Sequence, residues 1–263
     1  MKQPALIVVT GGASGIGLAC VQHLVARGDK VVVVDLPAQC EAKAVKDLGL
    51  PAYGCDVNDE DAVRKLAKLI EDKHGAVTGL VNCAGVLQKR SPPETLTMKE
   101  WDRVVSVDMR GTYLCCAVFG SSMAARGNGA IVNIASITAS RSVPLHAYAP
   151  AKAAVVSITE CLAVEWGKSG VRVNAVSPGY VLTPGLQEAV DRGDRNPKTL
   201  VSQAAMGRMV MPSEIADAVG FLLSDQATAI TGINLPVDAG WLVGTGWQTY
   251  DGIPESRVNS GAR

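Results

Sequence analysis

Short apolar runs alternate with longer amphipathic stretches from the N-terminus to about residue 240, which is the pattern of a βα repeat. The runs predict strands at Leu6–Val9, Val31–Val34, Ala52–Cys55, Gly79–Asn82, Ala130–Ile134, Arg172–Val176 and Asn234–Val237. Several are unbroken β-branched segments, the composition of strands buried on both faces. Seven such strands imply one parallel sheet. Between them, Val63, Leu66 and Ile70, or Ile215, Val219 and Leu222, repeat an apolar side at helical spacing, so helices are expected to cover both faces.

Thr97, followed three residues later by Glu100, has the form of a capping box opening a long helix through Trp101, Val104, Val105 and Leu114. That helix is expected to end before Gly127-Asn128-Gly129. Residues 183–211 lack strand alternation and are rich in Pro and Gly, which predicts a long loop with short helices, placed as a lid over a cleft. No internal repeat or linker divides the chain, so residues 1–263 are expected to form a single domain.

The composition narrows the function classes. Hydrophobic residues make up 48% of the 263 and charged residues 19%, enough for a large core. Lys plus Arg and Asp plus Glu both total 25, which removes the positive excess that nucleic-acid binding needs. Seven cysteines, an odd number with no CxxC pair, argue against a disulfide framework and for a reducing cytoplasm. The three histidines are not at ligand spacing, so no metal is expected. The apolar run Ala5–Val9 is too short for a membrane span or an export signal.

Thr10-Gly11-Gly12-Ala13-Ser14-Gly15-Ile16-Gly17 sits between the first strand and a helical stretch. Gly11, Gly15 and Gly17 allow a tight turn and let a pyrophosphate approach amides at the positive end of the helix, with Ser14 beside them. Asp35 ends the second strand about 20 residues on, where a carboxylate accepts both ribose hydroxyls of adenosine and repels a 2′-phosphate. No Arg or Lys accompanies it in Val34-Asp35-Leu36-Pro37, so NAD is the expected cofactor. Asp56-Val57 and Asn82-Cys83-Ala84-Gly85 close the third and fourth strands, at the edge where a Rossmann-type doubly wound sheet binds adenine and ribose.

Tyr148 and Lys152 are four residues apart in a helical stretch and share a face. Ser136 follows the fifth strand. Hydride transfer to a ketone leaves an alkoxide that needs a proton, and a tyrosine can supply or remove it. Bringing a phenol from its usual pKa near ~10 towards neutrality takes roughly 4 kcal/mol, and an ammonium about 4 Å away supplies on the order of that amount. Lys152 is thus expected to acidify Tyr148 and to bind the nicotinamide ribose, while Ser136 holds the substrate oxygen.

These residues resemble the short-chain dehydrogenase/reductase family from Thr10 to about Gly240. The likeness rests on TGxxxGIG at 10–17, NxAG at 82–85, Ser136, YxxxK at 148–152, and Ser177-Pro178-Gly179 with Thr183. The resemblance implies that Pro178, Gly179, Val181 and Thr183 border the nicotinamide, and that Ile16 and Val107 contact the cofactor. It also implies a homotetramer, with the tail 239–263, which carries Trp241, Trp247 and Tyr250, at a subunit contact. One position departs from the family, which has Asn where Asp108 stands. That Asn holds a water in a proton relay, and an ionised Asp cannot donate and would oppose the effect of Lys152 on Tyr148.

Lys89, Arg90, Arg141 and His146 fall in loops after the fourth and fifth strands and suggest a carboxylate or polyhydroxylated substrate. The leading expectation is an NAD-dependent dehydrogenase of a sugar, polyol or hydroxy acid. A 3-oxoacyl reductase and a non-catalytic dinucleotide sensor stand as alternatives.

Overall fold

The computed structural model describes residues 5–254. Seven strands form one sheet: β1 (Leu6–Thr10), β2 (Lys30–Asp35), β3 (Ala52–Gly54), β4 (Gly79–Asn82), β5 (Gly129–Ile134), β6 (Val171–Pro178) and β7 (Asn234–Val237). Their order is β3-β2-β1-β4-β5-β6-β7, and every neighbouring pair is parallel. All seven predicted strands are present, with ends shifted by two residues at most.

Alternate side chains of the strands feed two cores, which is why the runs had to be apolar throughout. Leu6, Val8, Val32, Leu80, Ile131 and Val173 pack on one face against the helices Glu60–His74 and Thr112–Arg126. Ile7, Val9, Val31, Val33, Val81 and Val132 pack on the other, against Gly15–Ala26 and Pro212–Leu223. Strand order reverses between β1 and β4, so a crevice opens at their carboxyl ends. Residues 183–211 contain the short helices Pro184–Asp191 and Pro197–Val201, as anticipated.

The long helix differs from its prediction. Thr97 does cap it, accepting from the Glu100 amide at 3.2 Å, but the Glu100 carboxylate pairs with Arg103 instead of reaching back. The helix Met98–Val105 then widens into a π-helical turn at Ser106–Gly111 before resuming as Thr112–Arg126. Asp108 lies in that turn. A π turn inserts a residue and re-aims the side chains within it, something apolar periodicity does not register. The helix ends at Gly127 in a left-handed cap, the conformation glycine adopts without strain.

Candidate active site

The sheet delivers its two glycine-bearing loops to the same place. The Thr10 hydroxyl accepts from the Cys83 and Ala84 amides at 3.2 and 3.3 Å, stitching the end of β1 to the end of β4. Gly11, at φ +64°, lies so close that a Cβ there would stand 2.6 Å from the Ala84 nitrogen. Gly11→Ala is therefore expected to combine the ~1–2 kcal/mol cost of a left-handed backbone with a clash against main chain. A thermal melt should drop by several degrees and dinucleotide affinity by at least about tenfold; unchanged affinity would show that the loop is not held in register by this contact.

The helix Gly15–Ala26 starts at Ser14 with no side-chain cap and no acidic residue in its first turn, which leaves its amides open to an anion. Asp35 lies beside them. Its two carboxylate oxygens accept from the Ala13 amide at 3.0 Å and the Leu36 amide at 2.8 Å, and each keeps lone pairs for further donors. The Asn82 side chain is buried and donates to Asn133 at 2.9 Å, and Asn133 in turn donates to Thr159. Its amide nitrogen is committed to the core, while its carbonyl oxygen has no protein partner. Asp56 is exposed, Val57 is buried, and Val107 and Ile16 are partly buried against the two cores. Among Pro178, Gly179, Val181 and Thr183, the last stands 3.6 Å from where a Gly15 Cβ would be, so the end of β6 adjoins the glycine loop.

Ser136, Tyr148 and Lys152 meet at the carboxyl end of β5. The Ser136 hydroxyl accepts from the Thr138 amide at 3.2 Å, which leaves its own proton free to donate. Lys152 is 4% exposed and donates to the Ile134 carbonyl at 3.0 Å, with its ammonium 5.5 Å from the centre of the Tyr148 ring. The third partner of Lys152 is Asp108, fully buried, with its carboxylate 3.2 Å from the ammonium. The other carboxylate oxygen of Asp108 accepts from the Val86 amide at 2.8 Å. Gly85 packs closely on this pair: a Cβ there would lie 3.2 Å from Asp108 Oδ2 and 3.6 Å from Lys152 Nζ.

This arrangement bears on the expected acidification of Tyr148. Burial pushes the Tyr148 phenol above its usual value; Lys152 and a Ser136 hydrogen bond pull it down, but Asp108 pushes it up again. Burial thus outweighs the pull of Lys152, which Asp108 opposes in part. Burial alone would depress the Lys152 ammonium, yet the Asp108 carboxylate and Tyr148 carry it above its ordinary range. In addition, one Lys152 donor is bonded to the Ile134 carbonyl while the ammonium pairs with Asp108, so donor capacity remains for a ribose.

Of the four charged loop residues, Arg141 and His146 line a cavity of about 420 Å³ that includes neither Ser136 nor Tyr148, while Lys89 and Arg90 are exposed. In the tail, Trp241 packs edge-on against Tyr180 at 6.0 Å, whereas Trp247 and Tyr250 are exposed; residues 255–263 lie outside the described residues. Gln88, which drew no attention as a sequence position, is buried beside the start of the Tyr148 helix. An uncharged residue in an unpatterned segment carries no sequence signal. Among the described residues there is no cluster of metal-ligating side chains and no helix long and apolar enough to cross a membrane.

Residues 11–242 match the family model described as enoyl-(acyl carrier protein) reductase. The chain is 39% identical over 244 residues to D-threitol dehydrogenase of Mycolicibacterium smegmatis, covering 90% of this chain and 92% of that one. It is also 39% identical over 244 residues to galactitol 2-dehydrogenase of Rhizobium johnstonii, covering 89% and 93%. Among solved structures, one from Brucella melitensis 16M described as ribose-5-phosphate isomerase superposes with a TM-score of 0.92 at 47% identity, over 97% of this chain and 98% of that one. The crevice at the β1–β4 reversal, the Ser136–Tyr148–Lys152 group beside it and these likenesses agree: the chain belongs to the short-chain dehydrogenase/reductase family of oxidoreductases.

Proposed function

We propose that the protein is an NAD(H)-dependent dehydrogenase that interconverts a secondary alcohol and a ketone on a small polar substrate, with polyols and sugars as the leading class. The observation that carries this reading is the convergence of Ser136, Tyr148 and Lys152 beside the glycine loop. The open first-turn amides of Gly15–Ala26 suit a pyrophosphate, and Asp35 suits an unphosphorylated ribose. Main chain at 82–85, with Asp56, Val57 and Val107, would border the adenosine side, and Pro178 to Thr183 the nicotinamide. A nicotinamide dinucleotide held there supplies the hydride acceptor or donor.

In the oxidative direction the Tyr148 phenolate takes the hydroxyl proton of the alcohol, and the Ser136 proton holds the substrate oxygen as its charge changes. Lys152 steadies the phenolate, and Asp108 fixes Lys152 in place of the water-holding Asn that the family has. Residues 183–211 act as the lid. The homotetramer belongs to this reading; exposed Val164, Trp247 and Tyr250 offer apolar surface to neighbouring subunits. Seven unpaired cysteines suit a reducing cytoplasm.

An aldose–ketose isomerase moves hydrogen within one sugar and needs no adenosine ribose held; Asp35, set one strand from the open amides to accept two ribose hydroxyls, favours the oxidoreductase. The test is a panel of polyols, hydroxy acids, apolar alcohols and ribose 5-phosphate, each with NAD+, with NADP+ and without cofactor. Polyol turnover with NAD+ is expected to exceed that with NADP+ by at least about tenfold, since Asp35 repels the extra phosphate. Preference for NADP(H) with acyl substrates would favour the oxoacyl reductase instead. Cofactor-free conversion of ribose 5-phosphate, or no nicotinamide-linked turnover at all, would overturn the proposal.

A further inference from the structure

The helix that carries Tyr148 and Lys152 begins without a local cap. Ala147 occupies the N-cap position and has no side-chain acceptor, and alanine is among the poorest capping residues. Each donor of the first turn can nevertheless be accounted for. The Ala147 and Tyr148 amides both donate to Gln88 Oε1, at 2.7 and 3.3 Å. The Ala149 amide donates to the Leu145 carbonyl at 3.0 Å, and the Ala151 amide to the Ala147 carbonyl at 3.1 Å. Pro150 has no N–H to satisfy. The start of the catalytic helix is thus capped by one side chain, reaching it from 59 and 60 residues away.

Gln88 is itself held. It is 2% exposed, and its segment is anchored through the Val86 amide to Asp108 at 2.8 Å and through the Leu87 carbonyl to Arg103 at 3.2 Å. Asp108 is also the partner of Lys152. The segment 86–88 therefore ties the helix start, at the Tyr148 amide itself, to the π turn that sets Lys152. We propose that Gln88 is a positioning residue for Tyr148, clamping the first turn of its helix so that the phenol stays in register with Ser136 and Lys152. The clamp stands on geometry alone, while its kinetic consequence rests on the dehydrogenase reading above.

Gln88→Met removes the acceptor at nearly constant volume. Gln88→Glu keeps an acceptor, which as a carboxylate is favoured at a helix N-terminus. It loses no protein contact, because Gln88 Nε2 has no partner. Amide hydrogen exchange of the peptide spanning 145–150 should speed up at least about tenfold in the Met variant, since two N–H groups lose their partner. Its kcat should fall by about 10- to 100-fold with dinucleotide affinity within about threefold, the signature of a misplaced catalytic group. The Glu variant should keep the protection and most of kcat. Should the Met variant unfold, Gln88→Asn, one methylene short of the helix start, carries the same expectations.

Unchanged exchange in a folded Met or Asn variant would overturn the clamp. Lost protection with kcat within about twofold of the original would reduce Gln88 to a structural cap without a positioning role. If the unaltered protein turned over no alcohol, the dehydrogenase reading would fall while the exchange measurement still judged the clamp.

Discussion

Tyr148→Phe is expected to lower kcat for alcohol oxidation by about 10³-fold, within the range that a single proton-transfer group contributes. The substitution removes one oxygen and keeps the ring that stands 5.5 Å from the Lys152 ammonium, so packing of the helix start is preserved. Dinucleotide affinity, read by nicotinamide fluorescence, should stay within about threefold, because the glycine loop and Asp35 are untouched. Residual activity within about tenfold of the original would mean that another group moves the proton. Loss of cofactor binding along with kcat would point instead to a structural role for the phenol.

The second large effect is expected at Asp108. Asp108→Ala leaves Lys152 buried with the Ile134 carbonyl as its remaining protein acceptor and leaves the Val86 amide without its partner. Breaking a buried ion pair from one side costs about 3–5 kcal/mol, so the melting temperature should fall by roughly ten degrees. Asp108→Asn is gentler, since its one carbonyl oxygen serves either Lys152 or Val86 while its amide opposes the other. Its informative readout is pH. Oxidation needs the phenolate, so the rate climbs as pH rises through the Tyr148 pKa. That pKa is raised, first by burial and in part by Asp108, which puts the climbing limb at alkaline pH. Neutralising Asp108 removes one raising influence, so the limb should move to lower pH in the Asn variant, and the reductive rate should begin to fall at lower pH as well. A limb that stays in place, or moves up, would show that Asp108 does not act on Tyr148 through its charge.

Much of the scaffold was legible because its physics is local or periodic. Runs such as Val31–Val34 have to be apolar on both sides of a covered parallel sheet, and each became a strand. The glycine loop, Asp35 and the four-residue step from Tyr148 to Lys152 are short-range patterns whose consequences depend on one turn or one helix face. Asn82 shows what a local pattern omits: its neighbours in sequence suggest a strand end, and the sheet turns its amide nitrogen towards Asn133. The charged loop residues carried less information. Charge marks a residue as solvated but does not say which cavity it borders, and Arg141 and His146 border one lined by Thr138 and Ala149, not by Ser136 or Tyr148 themselves.

The order of strands and helices, the crevice at their carboxyl ends and the candidate proton-transfer group Tyr148 were thus legible in the sequence alone, since each follows from spacing along a few consecutive residues. The electrostatic state of that group was decided only by the tertiary structure. Asp108, Lys152, Gly85 and Gln88 are brought around Tyr148 from three separate stretches of chain, through a π turn and a segment without regular structure. Burial and the pairing of opposite charges act through space at distances of a few ångström. For that reason the cation predicted to acidify the phenol is outweighed, first by burial and then by a carboxylate 44 positions earlier in the chain.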